Sequence, residues 1–172
     1  MNILFLDFDG VINNTTSREV ITLPMKMRDG HICVATYWMA ECISPFLKLM
    51  RWCKNNDIKI VISSTWRLNQ NADVFNEYFG TYFRREGKIP DVVGITPRHY
   101  DMHRGREIQQ YINENNVDNY IIIDDDIDDI VDTLPDERVV KINVATGIVE
   151  KDVDKIAYMW YHIINGGKNE TR

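Results

Sequence analysis

Three short apolar runs constrain this chain more than anything else in it: Ile3-Leu4-Phe5-Leu6, Ile58-Lys59-Ile60-Val61-Ile62 and Tyr120-Ile121-Ile122-Ile123. Each has the length of a strand, and each is too uniformly apolar for a sheet with one wet face. Strands of this kind belong in a parallel sheet covered by helices. Val92-Val93 and Arg138-Val139-Val140-Lys141-Ile142 are weaker candidates. Between them lie helical patterns. Ile43, Phe46, Leu47 and Met50 follow the i, i+3, i+4, i+7 spacing of a one-sided helix. Val74, Phe75, Tyr78 and Phe79 mark a second helix, and Ile108, Tyr111 and Ile112 a third. Val153, Ile156, Ala157, Trp160 and Ile164 mark a fourth. Strands alternating with helices predict an α/β fold. It should be a doubly wound, Rossmann-like parallel sheet of about five strands with helices on both faces.

At 172 residues, 44% of them hydrophobic and 27% charged, one globular domain spanning 1–172 is expected. No apolar run approaches the ~20 residues of a membrane span. The first run has no basic residues before it and stops at Asp7, unlike a secretory signal. Cys33, Cys42 and Cys53 lack metal-site spacing and read as reduced thiols of a cytoplasmic protein, Cys42 and Cys53 on the buried side of a helix. A net charge of -6 weighs against a broad basic face for nucleic acid. Neither a membrane nor an obligate protein partner is expected. The stretch 13–38 fits no crossover helix. Its β-type runs around Val20-Ile21 and Ile32-Cys33-Val34 flank Asp29-Gly30, which predicts a small β-hairpin flap after the first strand.

The three strong strands end at Asp7, Ser63 and Asp124. Ligands of open parallel sheets bind outside the carboxyl ends of the strands, so these groups should converge on one crevice. In Asp7-Phe8-Asp9-Gly10, a turn permitted by Gly10 lets two carboxylates take different roles. One can attack phosphorus while the other moves protons. Ser63-Ser64-Thr65-Trp66-Arg67 offers hydroxyls and backbone N–H groups to a phosphate, with Arg67 as a bidentate partner. It could equally be a helix cap, and Trp66 reads as a packing residue. Arg104 and Arg106 open the third helix, where the helix dipole disfavours cations; either could neutralise a phosphoryl group. Asp124-Asp125-Asp126 with Asp128-Asp129 crowds five acids together and invites a cation. Asp128 and Asp129 suit a solvated loop, whereas Asp124 abuts a buried strand. The four histidines lack ligand spacing and read as structural or surface residues.

Together these pieces resemble the haloacid dehalogenase superfamily of phosphatases. Asp7-Phe8-Asp9-Gly10-Val11 is similar to its first motif, Ser63 to its second, Arg104 or Arg106 to its third, and Asp124-Asp125 to its fourth. The third motif departs from the usual lysine, and Arg104, which precedes a glycine, is the preferred match. Ser63-Ser64-Thr65-Trp66-Arg67, Gly94-Ile95-Thr96-Pro97 and Thr146-Gly147-Ile148 resemble a minimally capped subgroup, the domains of Swiss Army knife RNA-repair proteins. The resemblance implies phosphomonoester hydrolysis through an aspartyl-phosphate. Asp7 would be the nucleophile, Asp9 the acid/base, and Ser63 a phosphate ligand, beside the hydroxyl that Ser64 offers by the reading above. It also implies Mg2+ held by Asp7, Asp9 through its backbone carbonyl, and Asp124, with Asp125 in support. An uncapped site suits a nucleic-acid end such as a 3′-phosphate, and the acidity of the chain suits a nucleotide. A non-hydrolytic, receiver-like phosphate-binding domain is the alternative.

Overall fold

Alternation along the first strand decides how the layers form. In the computed structural model, described for residues 1–16, 19–22, 24–33, 37–83 and 89–166, β1 is Asn2–Leu6. Successive side chains on a strand face opposite sides. Ile3 and Phe5 therefore pack into one cluster, with Ile108, Tyr111, Ile130 and Leu134. Leu4 and Leu6 pack into the other, with Phe46, Phe75, Ile156 and Trp160. Both faces are dry, and full burial of a residue such as Phe5 contributes about 1.5–3 kcal/mol.

After β1 the chain makes a hairpin in two tiers. Its base pairs β2 (Val20–Thr22) with the returning strand Tyr37–Met39, and its tip pairs β3 (Met25–Lys26) with β4 (Ile32–Cys33), all antiparallel. The returning strand is β5. The tip turns at Asp29 and Gly30, where Gly30 has φ +89° and its N–H donates to Met27 O. The expected run through Val34 falls partly outside the described residues. Met25 is buried in the core, and the Arg28 N–H donates to Gln70 Oε1, so the hairpin leans on the loop that follows the second sheet strand.

Then follow α1 (Ala40–Asn55), β6 (Lys59–Ile62), α2 (Ala72–Phe83), β7 (Val92–Ile95) and α3 (Arg104–Glu114). The chain closes with β8 (Asn119–Asp124), the single turn α4 (Asp128–Val131), β9 (Val139–Lys141) and α5 (Glu150–Gly166). The sheet is parallel with order β7-β6-β1-β8-β9. Helices α1, α2 and α5 cover one face, and α3 and α4 the other. The order runs outward from β1 in both directions, so a crevice opens at the end of β1, between β6 and β8.

Two expectations shift. Arg138 closes a 3-10 turn (Asp136–Arg138) ahead of β9, and its guanidinium stacks on Tyr120. Ile164 is 40% exposed, because α5 buries Val153, Ile156 and Trp160 and its last turn brings Ile163 to the core instead. Cys42 and Cys53 are buried and unbridged on α1, and burial pushes both thiols up. No helix among the described residues is long and apolar enough to cross a membrane.

Candidate active site

Register creates the site. Leu6 pairs with Ile62 on one side and Ile123 on the other. The next residue of each strand therefore falls in one row: Asp7, Ser63 and Asp124. The ladder continues through that row, with the Ser63 N–H donating to Leu6 O at 2.9 Å and the Asp7 N–H to Ile123 O at 3.1 Å. Since Leu6, Ile62 and Ile123 face the α1/α2/α5 cluster, the row faces the opposite layer, where α3 begins.

Arg104, in the first turn of α3, enters from that layer. Its Nη1 lies 3.2 Å from Asp7 Oδ1 and 3.1 Å from Asp124 Oδ2. Arg106 points away and pairs with Asp101 at 2.7 Å on the surface. Two devices fix Arg104. Its backbone N–H donates to Asp129 Oδ2 at 2.6 Å, which satisfies one free donor of the helix start with a carboxylate. A Cβ on Gly105 would stand 2.5 Å from Asp129 O, so only glycine lets α3 start this close to α4. Asp129 is thus half-buried and engaged, not a member of a solvated loop.

The carboxylates are crowded. Ligand atoms of Asp7, Asp124 and Asp125 lie within 4.8 Å of one another. Two like charges about 4 Å apart near a protein surface repel by about 4 kcal/mol, and one guanidinium cannot offset three carboxylates. Burial, then the Asp124 charge, push Asp7 up to about 8 against the pull of Arg104. Burial pushes Asp124 up to about 6, and Asp125 is also raised by burial. An all-oxygen, over-acidic cluster at a strand end fits a hard divalent cation such as Mg2+. Asp125 sits here because the chain turns at Gly10, φ +77°, where a Cβ would fall 2.1 Å from Asp125 Cγ.

Ser63 is 1% exposed and its Oγ has no hydrogen-bond partner among the described residues. A buried hydroxyl left unpaired is costly, and a phosphoryl oxygen in the row would satisfy it. Ser64 caps the 3-10 turn Thr65–Arg67 by accepting from the Trp66 N–H, and its hydroxyl also favours the charged form of Asp7. Arg67 does not face the row with a free fork. Its guanidinium is buried, ion-paired with Glu107, and donates to the carbonyls of Ser64, Thr96 and Pro97.

Asp9 stands apart from the acidic cluster. Its Oδ2 accepts from Trp66 Nε1 at 2.9 Å and its Oδ1 from Asn13 Nδ2 at 3.0 Å. Trp66 packs as its sequence context suggests, stacked on Phe8, and also holds Asp9. Neither that bond nor the Asp129 contact carries a local signal, since the partners lie 57 and 25 positions apart.

A parallel sheet that ends β1 in an Asp-x-Asp-Gly turn, level with a serine and a second aspartate, defines a haloacid dehalogenase (HAD) domain. More narrowly, the chain belongs to the family described as the HAD domain in Swiss Army Knife RNA repair proteins, which it matches over residues 3–153. That family points to hydrolase activity of the phosphatase type. No curated protein matches the chain.

Proposed function

We propose that the protein is a Mg2+-dependent phosphomonoesterase that works through an aspartyl-phosphate on Asp7. The observation that carries this reading is the row itself: Asp7, an unpaired Ser63 hydroxyl and Asp124 at one level, with Arg104 between the two carboxylates. Asp7 attacks phosphorus as the leaving oxygen takes a proton from Asp9. The Asp9 carboxylate then withdraws a proton from water as that water attacks the phosphoryl group, which frees Asp7 and inorganic phosphate. Ser63 donates to a phosphoryl oxygen, and Arg104 offsets charge on the nucleophile and the transferred group. Mg2+ would be held by Asp7, the Asp9 backbone carbonyl and Asp124, with Asp125 in support. When bound, it supplies the positive charge that Arg104 alone cannot.

The substrate we propose is the phosphorylated end of a nucleic acid, such as a 3′-phosphate, or a nucleotide. Among the described residues, only the small hairpin is inserted between β1 and α1. A cavity of 410 Å³ lies between the loops after β6 and β7 and the C-terminal half of α3, with Arg67 and Arg98 in its lining. Arg98 has no ion pair among the described residues. Release of phosphate from 3′-phosphorylated oligonucleotides, mononucleotides and sugar phosphates, with Mg2+ and with EDTA, tests the reading. Multiple turnovers that require Mg2+ are expected. Release of no more than one phosphate per chain would support the receiver-like alternative, and no release from any phosphoester would overturn the proposal.

A further inference from the structure

Trp66 lies where the loop after β6 meets the turn after β1. Its ring is stacked on Phe8, with centroids 4.8 Å apart and planes 4° from parallel. Phe8 is itself stacked on Phe75 and Phe79 at 5.9 and 6.1 Å. The indole rests on a fixed aromatic column with its N–H at Asp9 Oδ2. Asn13 holds the other oxygen and is itself tied down, its N–H donating to Phe8 O and its carbonyl accepting from the Gly10 N–H. Asp9 is exposed, so no packing fixes the plane of its carboxylate. Two donors from two separate loops do so, and each oxygen keeps a further lone pair.

We infer that Trp66, assisted by Asn13, is a positioning residue that aims the Asp9 carboxyl group at the leaving oxygen. The inference rests on the phosphatase reading above. In the step concerned, an Asp7 Oδ–phosphorus bond forms while the bond from phosphorus to the leaving oxygen breaks. The Asp9 proton moves to that oxygen and leaves Asp9 as a carboxylate. Attacking water later returns a proton to Asp9 and its oxygen to phosphorus, and the Asp7–phosphorus bond breaks. A misaimed acid therefore hurts most where the leaving group most needs a proton. Alkoxide leaving groups need it; p-nitrophenolate leaves without it.

Trp66→Phe keeps the aromatic column and deletes the N–H. The test compares kcat/KM, which reports the phosphoryl-transfer step, for a 3′-phosphorylated nucleotide and for p-nitrophenyl phosphate. The loss on the nucleotide should exceed the loss on the aryl ester by about tenfold, a fraction of the full effect of a general acid. Asn13→Ala should shift the same ratio in the same direction and carries the test if Trp66→Phe does not fold. Equal losses on both substrates in a folded variant would reduce Trp66 to packing. A faster reaction of the nucleotide would also overturn the inference, because it would mean that the bond withholds Asp9. Asp9→Asn separates the levels: if it lowers kcat/KM equally for both substrates, the general-acid role of Asp9 fails. If the wild-type protein hydrolyses neither ester, the phosphatase reading falls, and this inference with it.

Discussion

Two arginines lie beside buried carboxylates in this molecule, and they differ in what is left over. Arg67 is matched. One carboxylate, Glu107, and three carbonyls take its donors, while the second Glu107 oxygen accepts the His99 N–H at 2.9 Å. The group is closed, and it ties the loop after β6, the loop after β7 and α3 together. Arg104 is outnumbered. It meets Asp7 and Asp124 with Asp125 alongside, next to a serine hydroxyl with no partner among the described residues. A satisfied network serves architecture; an unsatisfied one, held in place by its surroundings, is ready to bind. Here the deficit has a definite sign, since the cluster lacks positive charge and the row lacks an acceptor for Ser63. A cation and a phosphoryl group remove both deficits.

The sharpest break of that contrast is Asp7→Asn. Losing the nucleophile should lower turnover on the order of 10⁴-fold or more, with the fold retained, as measured by phosphate release and circular dichroism. Normal activity would remove Asp7 from the mechanism. Arg67→Met strikes the matched network. It strands Glu107 in the interior and should cost about 3–5 kcal/mol of stability in denaturant melts. A loss under about 1 kcal/mol would mean that the pair does not fasten these loops to α3.

Arg104→Ala comes next, with an expected loss on the order of 10²–10³ in kcat and a small change in stability. Arg106→Ala should change kcat by about twofold at most and stability by less than about 1 kcal/mol, as an exposed ion pair contributes little. Equal losses in the two variants would undo the assignment of Arg104 to the row.

The smallest effect is on the pH dependence of stability. The folded pKa values of Asp7 and Asp124, about 8 and about 6, lie above the ordinary 3.8. Between about pH 4 and pH 8 the metal-free folded state therefore holds protons that the unfolded chain has released, and these groups make it less stable as pH rises. A cation competes with those protons. The rise in melting temperature on adding Mg2+ should therefore grow from pH 5 to pH 8, and a constant difference would place the metal elsewhere.

Much of this was legible in the residues because the strands are short and dry. A run such as Ile3-Leu4-Phe5-Leu6, too short for a helix and bounded by an Asp-x-Asp-Gly turn, reads as a buried strand, so its end, and the row of Asp7, Ser63 and Asp124, could be read directly. The hairpin turn at Asp29-Gly30 was legible for a similar reason, since a glycine at positive φ marks it. Side-chain destinations were not. Arg67 follows two serines and looks like a phosphate ligand, but its partner Glu107 is 40 positions away and is met only when α3 docks. Arg104 and Arg106 are equivalent in sequence, and helical rotation alone sends one inward and the other to Asp101. Asp129 looked solvated because nothing local shows that α4 brings it against the start of α3.

The row at the ends of β1, β6 and β8 also limits how such a domain can change over evolutionary time. Side chains on a strand alternate, so deleting or inserting one residue within β6 or β8 would turn every following side chain to the other face and put a different residue level with Asp7. Length changes inside these strands would therefore erase the site in one event, while the hairpin tip around Asp29-Gly30 and the segment between α2 and β7 can lengthen or shorten without disturbing it. Variation among related chains should accumulate as substitutions along the strands and as insertions in those two segments.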